Sequence, residues 1–206
     1  MKTKQLFIPV SALVFLILTA CGGGAKKDYS KEVDEGTFSG NTFTSQALGW
    51  TMEFPDNWII TSKSSLESLD QRSKEIAGDS TSNTSGIKRT LAFQKNFDNN
   101  FQSTWEEFTG SEAEYKRIIS NIHKTIYNNY LDQRTTLDSI NGTLKVSGIT
   151  FDTYQIALYD RDNKNFANQL LLTSIVKNKF MTVTIAYNND ADKQKILGLF
   201  KKSTFK

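Results

Sequence analysis

Hydrophobic residues follow three successive patterns along this chain. An almost unbroken apolar run extends from Leu6 to Ala20. The stretch from Gly22 to Gly40 is rich in Gly, Lys, Asp, Glu and Ser, and it has few large apolar side chains to drive folding. Short apolar segments separated by polar ones then continue from Phe43 to Phe205, a span typical of one domain. We therefore predict a leader over residues 1–20, a flexible tether over 21–40 and one globular domain over 41–206.

The first part of the domain has the pattern of short strands. A strand is predicted over Trp50–Phe54, and Pro55-Asp56-Asn57 ends it because proline cannot donate a hydrogen bond to a neighbouring strand. Trp58-Ile59-Ile60 predicts a second, short strand, and a third is predicted over Ile87–Gln94. A short helix is predicted between the second and third strands. Ser64 or Ser65 caps its start, and its apolar face is formed by Leu66, Leu69 and Ile76.

The clearest helical pattern runs from about Glu112 to Leu131. Ser111 and Glu114 have the spacing of a capping box at its start. Apolar residues recur at helical spacing and predict a core-facing stripe of Tyr115, Ile118, Ile119, Ile122 and Ile126.

Four strands are predicted in the second half of the domain: Thr135–Ile140, Ile149–Leu158, Phe166–Val176 and Phe180–Tyr187. The short turn Lys177-Asn178-Lys179 makes the last two antiparallel. A C-terminal helix, capped by Asn188 or Asn189, is predicted to present Ile196, Leu197 and Phe200 on one face. An antiparallel sheet with helices on its faces accommodates all these elements, so the predicted class is α+β.

Residues Gly49–Trp58 resemble the opening of PsbP-like domains, in which a strand ends in an aromatic-Pro-x-x-Trp turn. Later elements agree in order: a helix, a hairpin-rich run that includes Gly148–Phe151, the strand Phe180–Tyr187, and a closing helix before Ser203–Lys206. The similarity covers most of Phe43 to Lys206. It implies a single domain built as an α/β/α sandwich.

The PsbP-like superfamily includes a photosystem accessory subunit, Ran-binding proteins of the Mog type and many bacterial lipoproteins without an assigned activity. Most of them act by binding or by stabilising assemblies, and no catalytic residue set accompanies the fold. The resemblance thus implies a non-catalytic protein, although a fold by itself does not define a function.

The N-terminus has the layout of an export signal. Met1–Lys4 provides a cationic start, and the apolar run after it is shorter than the ~20 residues that a membrane-spanning helix needs. Leu18-Thr19-Ala20-Cys21 resembles the lipobox of bacterial lipoproteins, in which the cysteine receives a diacylglyceryl thioether before the signal is cleaved. Cys21 is the single cysteine of the chain, and we predict that it is the lipid attachment site. The alternative is a secreted protein with one free thiol, which is unusual in an oxidising compartment.

Charge adds little to this membrane attachment. The chain has 25 Lys and Arg against 22 Asp and Glu, and removal of Lys2 and Lys4 with the signal brings the two counts within one of each other. The lipid would therefore provide the anchor, on the extracytoplasmic side of the cell membrane or outer membrane. A near-neutral chain also gives no reason to expect nucleic-acid binding.

Few residues offer catalytic chemistry. The single histidine, His123, lies between Ile122 and Lys124 in the strongest helix, and no nucleophile motif accompanies it. We interpret it as a helix-flank residue packed against the sheet. One histidine and a lipidated cysteine do not make a common zinc site, and the glycines outside Gly22-Gly23-Gly24 form no phosphate loop, so no cofactor is expected.

Carboxylates are the remaining candidates. Glu106-Glu107 is an adjacent pair whose side chains point apart, and Glu112 and Glu114 lie in a first helical turn, where the helix dipole favours negative charge. Asp160 and Asp162 are weak calcium candidates, because residues with side-chain oxygens alternate there. That segment lacks the glycine and the bidentate glutamate of a calcium loop, so a polar hairpin turn is the default interpretation.

Several aromatic residues fall between Asn96 and Phe108, in a segment with no assignable regular element. Phe97, Phe101 and Trp105 are either core residues or, if they are exposed together, a contact patch for a partner or ligand. The leading hypothesis is a membrane-tethered binding or assembly-accessory lipoprotein with a protein or envelope partner. The alternative is a carrier of an apolar small molecule at this aromatic segment, and the third hypothesis is a hydrolytic enzyme of unknown type.

Overall fold

The computed structural model describes residues 29–68, 86–132 and 136–206. These ranges contain the strands β1 Thr37–Ser39, β2 Thr42–Ser45, β3 Trp50–Glu53, β4 Ile59–Ile60, β5 Lys88–Asn96, β6 Asn99–Glu107, β7 Thr136–Val146, β8 Ile149–Tyr159, β9 Asn165–Val176, β10 Lys179–Tyr187 and β11 Thr204–Phe205. They also contain the helices α1 Glu112–Asp132 and α2 Asp190–Lys202, and a 3-10 turn at Ser30–Glu32. Residues 63–68 are helical as well. The predicted leader, Cys21, Leu69 and Ile76 lie outside the described residues.

The strands form two antiparallel sheets. The large sheet has seven strands in the order β4-β5-β6-β10-β9-β8-β7, and the small sheet has four in the order β1-β2-β3-β11. Strands β7 and β8 are joined through Ser147 and Gly148, and β9 and β10 through Lys177 and Asn178, and all four residues have positive φ. Two-residue turns of this kind match the twist of paired antiparallel strands. The predicted antiparallel pairing of the last two long strands is confirmed.

The main core lies between the two sheets and is built from aromatic rings. Phe93 and Phe101 of the large sheet stack with centroids 4.9 Å apart, and Trp50 of the small sheet stacks on Phe101 at 6.2 Å. Phe200 of α2 is fully buried against Trp50 and Phe101. The Trp50 indole N–H donates to Ser203 Oγ at 3.0 Å, so this large core side chain also has a partner for its polar atom.

Helix α2 begins and packs as predicted. The Asn189 side chain accepts a hydrogen bond from the Asp192 N–H at 2.9 Å, which confirms the predicted N-cap. Ile196 and Phe200 are buried in the main core, and Leu197 packs at its margin. Helix α2 and the small sheet thus cover one face of the large sheet together.

Helix α1 covers part of the opposite face of the large sheet. Its Ile122, Ile126 and Tyr130 pack on a second, smaller cluster formed by Tyr154, Ile156, Leu158 and Leu171. The Ser111 hydroxyl accepts from the Glu114 N–H at 3.2 Å, as the capping pattern predicted.

The predicted core stripe of α1 is only partly right. Tyr115 is buried, but Ile118, Ile119, Ile122 and Ile126 are only half-buried. The helix lies near the β7 edge of the large sheet, where solvent reaches its flank, so these side chains cannot be enclosed as core residues are.

The folded domain begins earlier than predicted. Residues 30–40 form a 3-10 turn and strand β1, so the expectation of a flexible tether is wrong for this stretch. Val33 is buried in the main core. The Asp34 N–H donates to the Arg89 carbonyl at 2.8 Å, and Asp34 Oδ2 accepts from the Arg89 N–H at 2.9 Å.

Glu35 completes this attachment. Its Oε2 accepts from the Ser45 hydroxyl at 2.6 Å, and its Oε1 accepts from the N–H groups of Gln46 at 2.8 Å and Ala47 at 3.1 Å. The Trp105 indole N–H lies 3.4 Å from Glu35 Oε2. A segment with few large apolar residues is therefore held by carboxylates that satisfy buried or half-buried donors, as well as by Val33 and Phe38.

The other predicted elements lie close to their expected positions. Strands β3, β4 and β5 match the first three predictions, and the Trp58 N–H donates to the Pro55 carbonyl at 3.1 Å in the predicted turn. Ser62, rather than Ser64 or Ser65, caps the following helix, because its hydroxyl accepts from the Ser65 N–H at 3.2 Å. The segment with no assigned element forms β6.

The class is α+β with antiparallel sheets, as predicted. The two faces of the large sheet are covered differently, by α1 on one side and by α2 with a second sheet on the other. The domain is thus richer in sheet than the predicted single sheet flanked by helices. Within the part of the chain that the structure describes, no helix is long and apolar enough to cross a membrane.

Replacing Glu35 by alanine should lower the free energy of unfolding by about 1–3 kcal/mol, because Ser45 and two loop N–H groups lose their acceptor. Urea unfolding measures this change. Glu53→Ala, at an exposed position of β3, is the matched control and should change stability by less than about 0.5 kcal/mol. Equal losses in the two variants would contradict the role assigned to Glu35.

Candidate binding cleft along helix α1

A polar cleft of about 320 Å³ runs between α1 and the strands β7 and β8 at the edge of the large sheet. It is lined by Lys116, Ile119, Ser120, His123, Asn141, Gly142, Asp152 and Thr153. The apolar cluster under α1 involves the second half of the helix, from Ile122 onward. The first half therefore faces polar strand residues, and the cleft lies between them.

The Asp152 carboxylate of this cleft is held by Tyr115. The Tyr115 hydroxyl donates to Asp152 Oδ2 at 2.7 Å or to the Thr173 carbonyl at 3.0 Å, and Thr173 Oγ1 lies 3.3 Å away. Burial and the neighbouring Asp152 carboxylate raise the pKa of Tyr115 well above its usual 10, against the opposing hydrogen bond from Thr173. The phenol is therefore a fixed proton donor that orients the Asp152 carboxylate.

His123 forms part of the helix wall of the cleft. Its ring stacks on Tyr154 with centroids 4.1 Å apart and an angle of 13° between the planes. Burial lowers the pKa of His123 below 6.5, although the Asp152 charge and a hydrogen bond with the Asn141 side chain act in the opposite direction. The predicted packing of this residue against the sheet is confirmed, and its imidazole is neutral at neutral pH.

Lys116 supplies the positive charge at the rim. Its Nζ lies 2.7 Å from Glu112 Oε1, and both side chains are exposed, so the pair is a surface ion pair of small energy. Two other predicted carboxylate candidates also have structural partners: Glu114 pairs with Arg117 at 3.6 Å and Glu107 with Lys179 at 3.3 Å.

The cleft combines one cation, one carboxylate, a neutral imidazole and neutral hydrogen-bonding groups. Ser120 lies one turn before His123, and the imidazole is hydrogen-bonded with the Asn141 side chain. These groups can make charge and hydrogen-bond contacts with a polar surface.

A second, more apolar groove of about 540 Å³ lies at the start of α1. It is lined by Phe108, Thr109, Gly110, Glu112, Tyr115, Ile175 and Asn178. The Phe108 ring packs against Tyr115 at 6.5 Å and Phe180 at 6.3 Å, which fixes one wall of the groove. Tyr115 lines the groove, and its hydroxyl bonds Asp152 of the polar cleft, so this hydrogen bond connects the two recesses.

The three aromatic candidates of the β5–β6 region do not form one contact patch. Phe101 is fully buried and Trp105 is 8% exposed, so both are core residues, in agreement with the alternative that aromatic side chains pack inside. Both side chains lie on the same face of β6, which faces the small sheet. Phe97 lies in the turn between β5 and β6 and is 78% exposed.

The weak calcium candidates form a polar hairpin turn, as the default interpretation held. Asp160 Oδ1 accepts from the N–H groups of Asp162 and Lys164, each at 2.9 Å, and Asn163 has a positive φ of 58°. Among residues 29–68, 86–132 and 136–206, no three His, Cys, Asp or Glu side chains come together as a metal site.

Sequence reasoning missed Asp152, Asn141 and the Tyr115 hydroxyl as parts of a site. One signal was available. Asp152, Tyr154 and Ile156 are every second residue along β8, so the Asp152 side chain lies on the same face of the strand as the other two, which faces α1. A carboxylate in register with an apolar strand face predicts a partner on the covering helix. Asn141 had no such signal, because its position depends on the pairing of β7 with β8.

A scan of protein-family models found no match to this chain, and a search of curated proteins found none. Among solved structures, the solution structure of cyanobacterial PsbP (CyanoP) from Synechocystis sp. PCC 6803 is similar with a TM-score of 0.51 and 13% sequence identity. The similarity covers 92% of this chain and 99% of that one. A crystal structure from Bacteroides thetaiotaomicron has a TM-score of 0.44 and 8% identity, over 82% of this chain and 49% of that one.

The domain therefore has a PsbP-like fold, as the Gly49–Trp58 segment indicated. At 13% identity the likeness defines the fold and leaves the activity open.

The Asp152 charge should be detectable in the titration of His123, which is the single histidine of the chain. Because Asp152 raises the pKa of His123 and burial lowers it, Asp152→Asn should move the NMR titration midpoint of the imidazole further below 6.5. Asp138→Asn is the control, since Asp138 alternates with Leu137 and so lies on the opposite face of β7. An unchanged midpoint in Asp152→Asn would show that the carboxylate does not act on the imidazole.

Proposed function

We propose that this protein is a lipoprotein, held at the cell envelope through Cys21, whose PsbP-like domain is a non-catalytic binding or assembly-accessory unit. The observation that carries the proposal is the PsbP-like fold over 92% of the chain. The export-signal pattern and Leu18–Cys21 add the expected membrane attachment.

The polar cleft supports a binding role. Tyr115 and Asp152 are oriented by hydrogen bonds, and His123 is held by stacking on Tyr154. Groups fixed in this way lose little entropy on contact with a partner. The exposed Lys116 at the rim is paired with Glu112 and would exchange this contact for a carboxylate or another acceptor on a partner surface.

The test uses the full-length protein in a bacterial host. Intact-mass measurement and membrane fractionation should show a membrane-bound product that starts at Cys21 and carries lipid, whereas Cys21→Ala should lack the lipid. Crosslinking and pull-down from membranes should then recover a reproducible partner with the wild type, and Lys116→Ala should reduce the yield severalfold. Lys124→Ala, an exposed lysine of α1 outside the cleft, should not. Lipidation without any reproducible partner would contradict the binding role, and an unlipidated product would contradict the anchor.

The carrier function is a second candidate, because the groove at Phe108 has the size of a small-molecule site. Its position differs from the one predicted. Phe101 stacks between Phe93 and Trp50 inside the core and leaves no room for a ligand there.

Binding of the apolar fluorescent probe 1-anilinonaphthalene-8-sulfonate tests the groove. We expect saturable binding to the wild type and about tenfold weaker binding to Phe108→Ser, since burial of a phenyl ring contributes about 1.5–3 kcal/mol. Phe97→Ser removes an exposed phenyl ring outside the groove and should leave the affinity unchanged. Equal binding by both variants, or no saturable binding, would exclude a carrier function at this groove.

A further inference from the structure

The exposed large apolar side chains of the described residues are concentrated toward one end of the large sheet. We call this the Phe97 end, and it comprises the β5–β6 turn, the junction between β10 and α2, and the β8–β9 loop. The pairing of Asn96 with Asn99, Tyr187 with Asn168 and Tyr159 with Asn165 places these three segments side by side.

Phe97 and Phe166 are the two exposed aromatic residues at this end. Phe97 is 78% exposed at the tip of its turn, and Phe166, the second residue of β9, is 49% exposed. Strands β6 and β9 are separated by β10, so the two rings lie on the order of 10–15 Å apart.

Two aliphatic residues extend this apolar surface. Ile59 is 61% exposed beside Gln94, and Leu131 is 47% exposed in the last turn of α1. Ile140 is 67% exposed as well, but it lies in the middle of β7 beside Asn141 of the polar cleft. Single exposed apolar residues are common, but four concentrated toward one end of a sheet indicate a contact surface.

The start of the described chain leads toward the same end. Asp34 lies beside Arg89, near the other end of β5, and the chain back from it reaches Tyr29, whose ring contacts Phe54 at 6.4 Å. Phe54 in turn contacts Phe93 at 6.2 Å, four residues before Phe97. Strand β5 runs from Arg89 through Phe93 toward the Phe97 end, so Tyr29 lies closer to that end than Asp34 does.

Seven residues lie between Cys21 and Tyr29, so eight Cα–Cα steps join them. A chain of that length spans at most about 28 Å, even when it is fully extended. If Cys21 carries the lipid, the Phe97 end is within reach of the bilayer. The tether then keeps the local concentration of this surface at the membrane high.

Charge at the Phe97 end does not favour one sign. Lys95, Arg161 and Lys164 are accompanied by Asp98, Asp160, Asp162 and Asp190 in the same turns and helix start. The Lys95 ammonium is also paired with Asp192 at 2.8 Å. Attraction to anionic lipid would therefore be weak, and the apolar side chains would supply the contact.

We infer that the Phe97 end is a membrane-contact surface, on which Phe97 and Phe166 enter the interfacial layer of the bilayer that holds the lipid of Cys21. This inference rests on the proposed function, because the lipid anchor brings the surface to the membrane. The polar cleft lies beside the first half of α1, whose N-terminus is at the opposite end of the large sheet, so the cleft faces away from the bilayer and stays open to a partner.

The test places a fluorescent reporter at this surface. The native residues Trp50, Trp58 and Trp105 are each at most 8% exposed, so they provide a shielded background. The lipidated full-length protein carrying Phe97→Trp is reconstituted into phosphatidylcholine vesicles whose acyl chains are brominated, which quench tryptophan on contact. Phe166→Trp serves as a second reporter, and Thr150→Trp, near the opposite end of β8 and exposed, is the matched control.

We expect at least twofold more quenching in Phe97→Trp and Phe166→Trp than in Thr150→Trp, with little change when salt is raised. Equal quenching of reporters and control in a protein of confirmed lipid mass overturns the membrane contact and leaves the anchor intact. A product without lipid overturns the anchor itself and the contact that depends on it. Quenching that appears only with anionic vesicles and disappears at high salt overturns the apolar mode of contact.

Discussion

The aromatic stack of Phe93, Phe101 and Trp50 is the contact on which the rest of the structure depends. Phe93 and Phe101 come from adjacent strands of the large sheet, and Trp50 comes from the small sheet, so the stack joins the two layers. Phe200 adds α2 to the same cluster. Because burial of apolar surface is the main driving force of folding, this layer determines how the small sheet and α2 are placed on the large one.

The opposite face of the large sheet is less completely covered, and that difference creates the candidate site. Helix α1 is held by a small apolar cluster under its second half, and by Tyr115 near its start. Between these two attachments the helix faces polar strand residues, which gives a cleft with oriented groups and solvent access. A tightly packed helix would have improved stability and left no surface for a partner.

The membrane-contact surface and the polar cleft belong to different parts of the domain. The first lies where the turns of β5–β6 and β8–β9 meet, and the second lies beside the start of α1. A short tether and an apolar end would orient the domain on the bilayer, so that the cleft points outward. In the proposed function, the fold would thus separate membrane attachment from the binding of a partner.

The sequence by itself determined the elements whose signals are local. The alternation in β10, the capping pattern at Ser111, the Asn189 cap and the Pro55 turn each depend on neighbouring residues, and each prediction agreed with the structure. The PsbP-like resemblance of Gly49–Trp58 was also readable, since an aromatic strand end and a proline turn are contiguous in the chain.

Tertiary structure decided what depends on distant partners. Residues 30–40 look like a linker because they have few large apolar side chains, yet Asp34 and Glu35 attach them to groups as far away as Arg89 and Trp105. The half-burial of the α1 stripe follows from its place at a sheet edge, and the cleft exists only because pairing brings Asn141 and Asp152 beneath the helix. Local patterns encode the elements, whereas which faces are covered depends on packing between residues far apart in the chain.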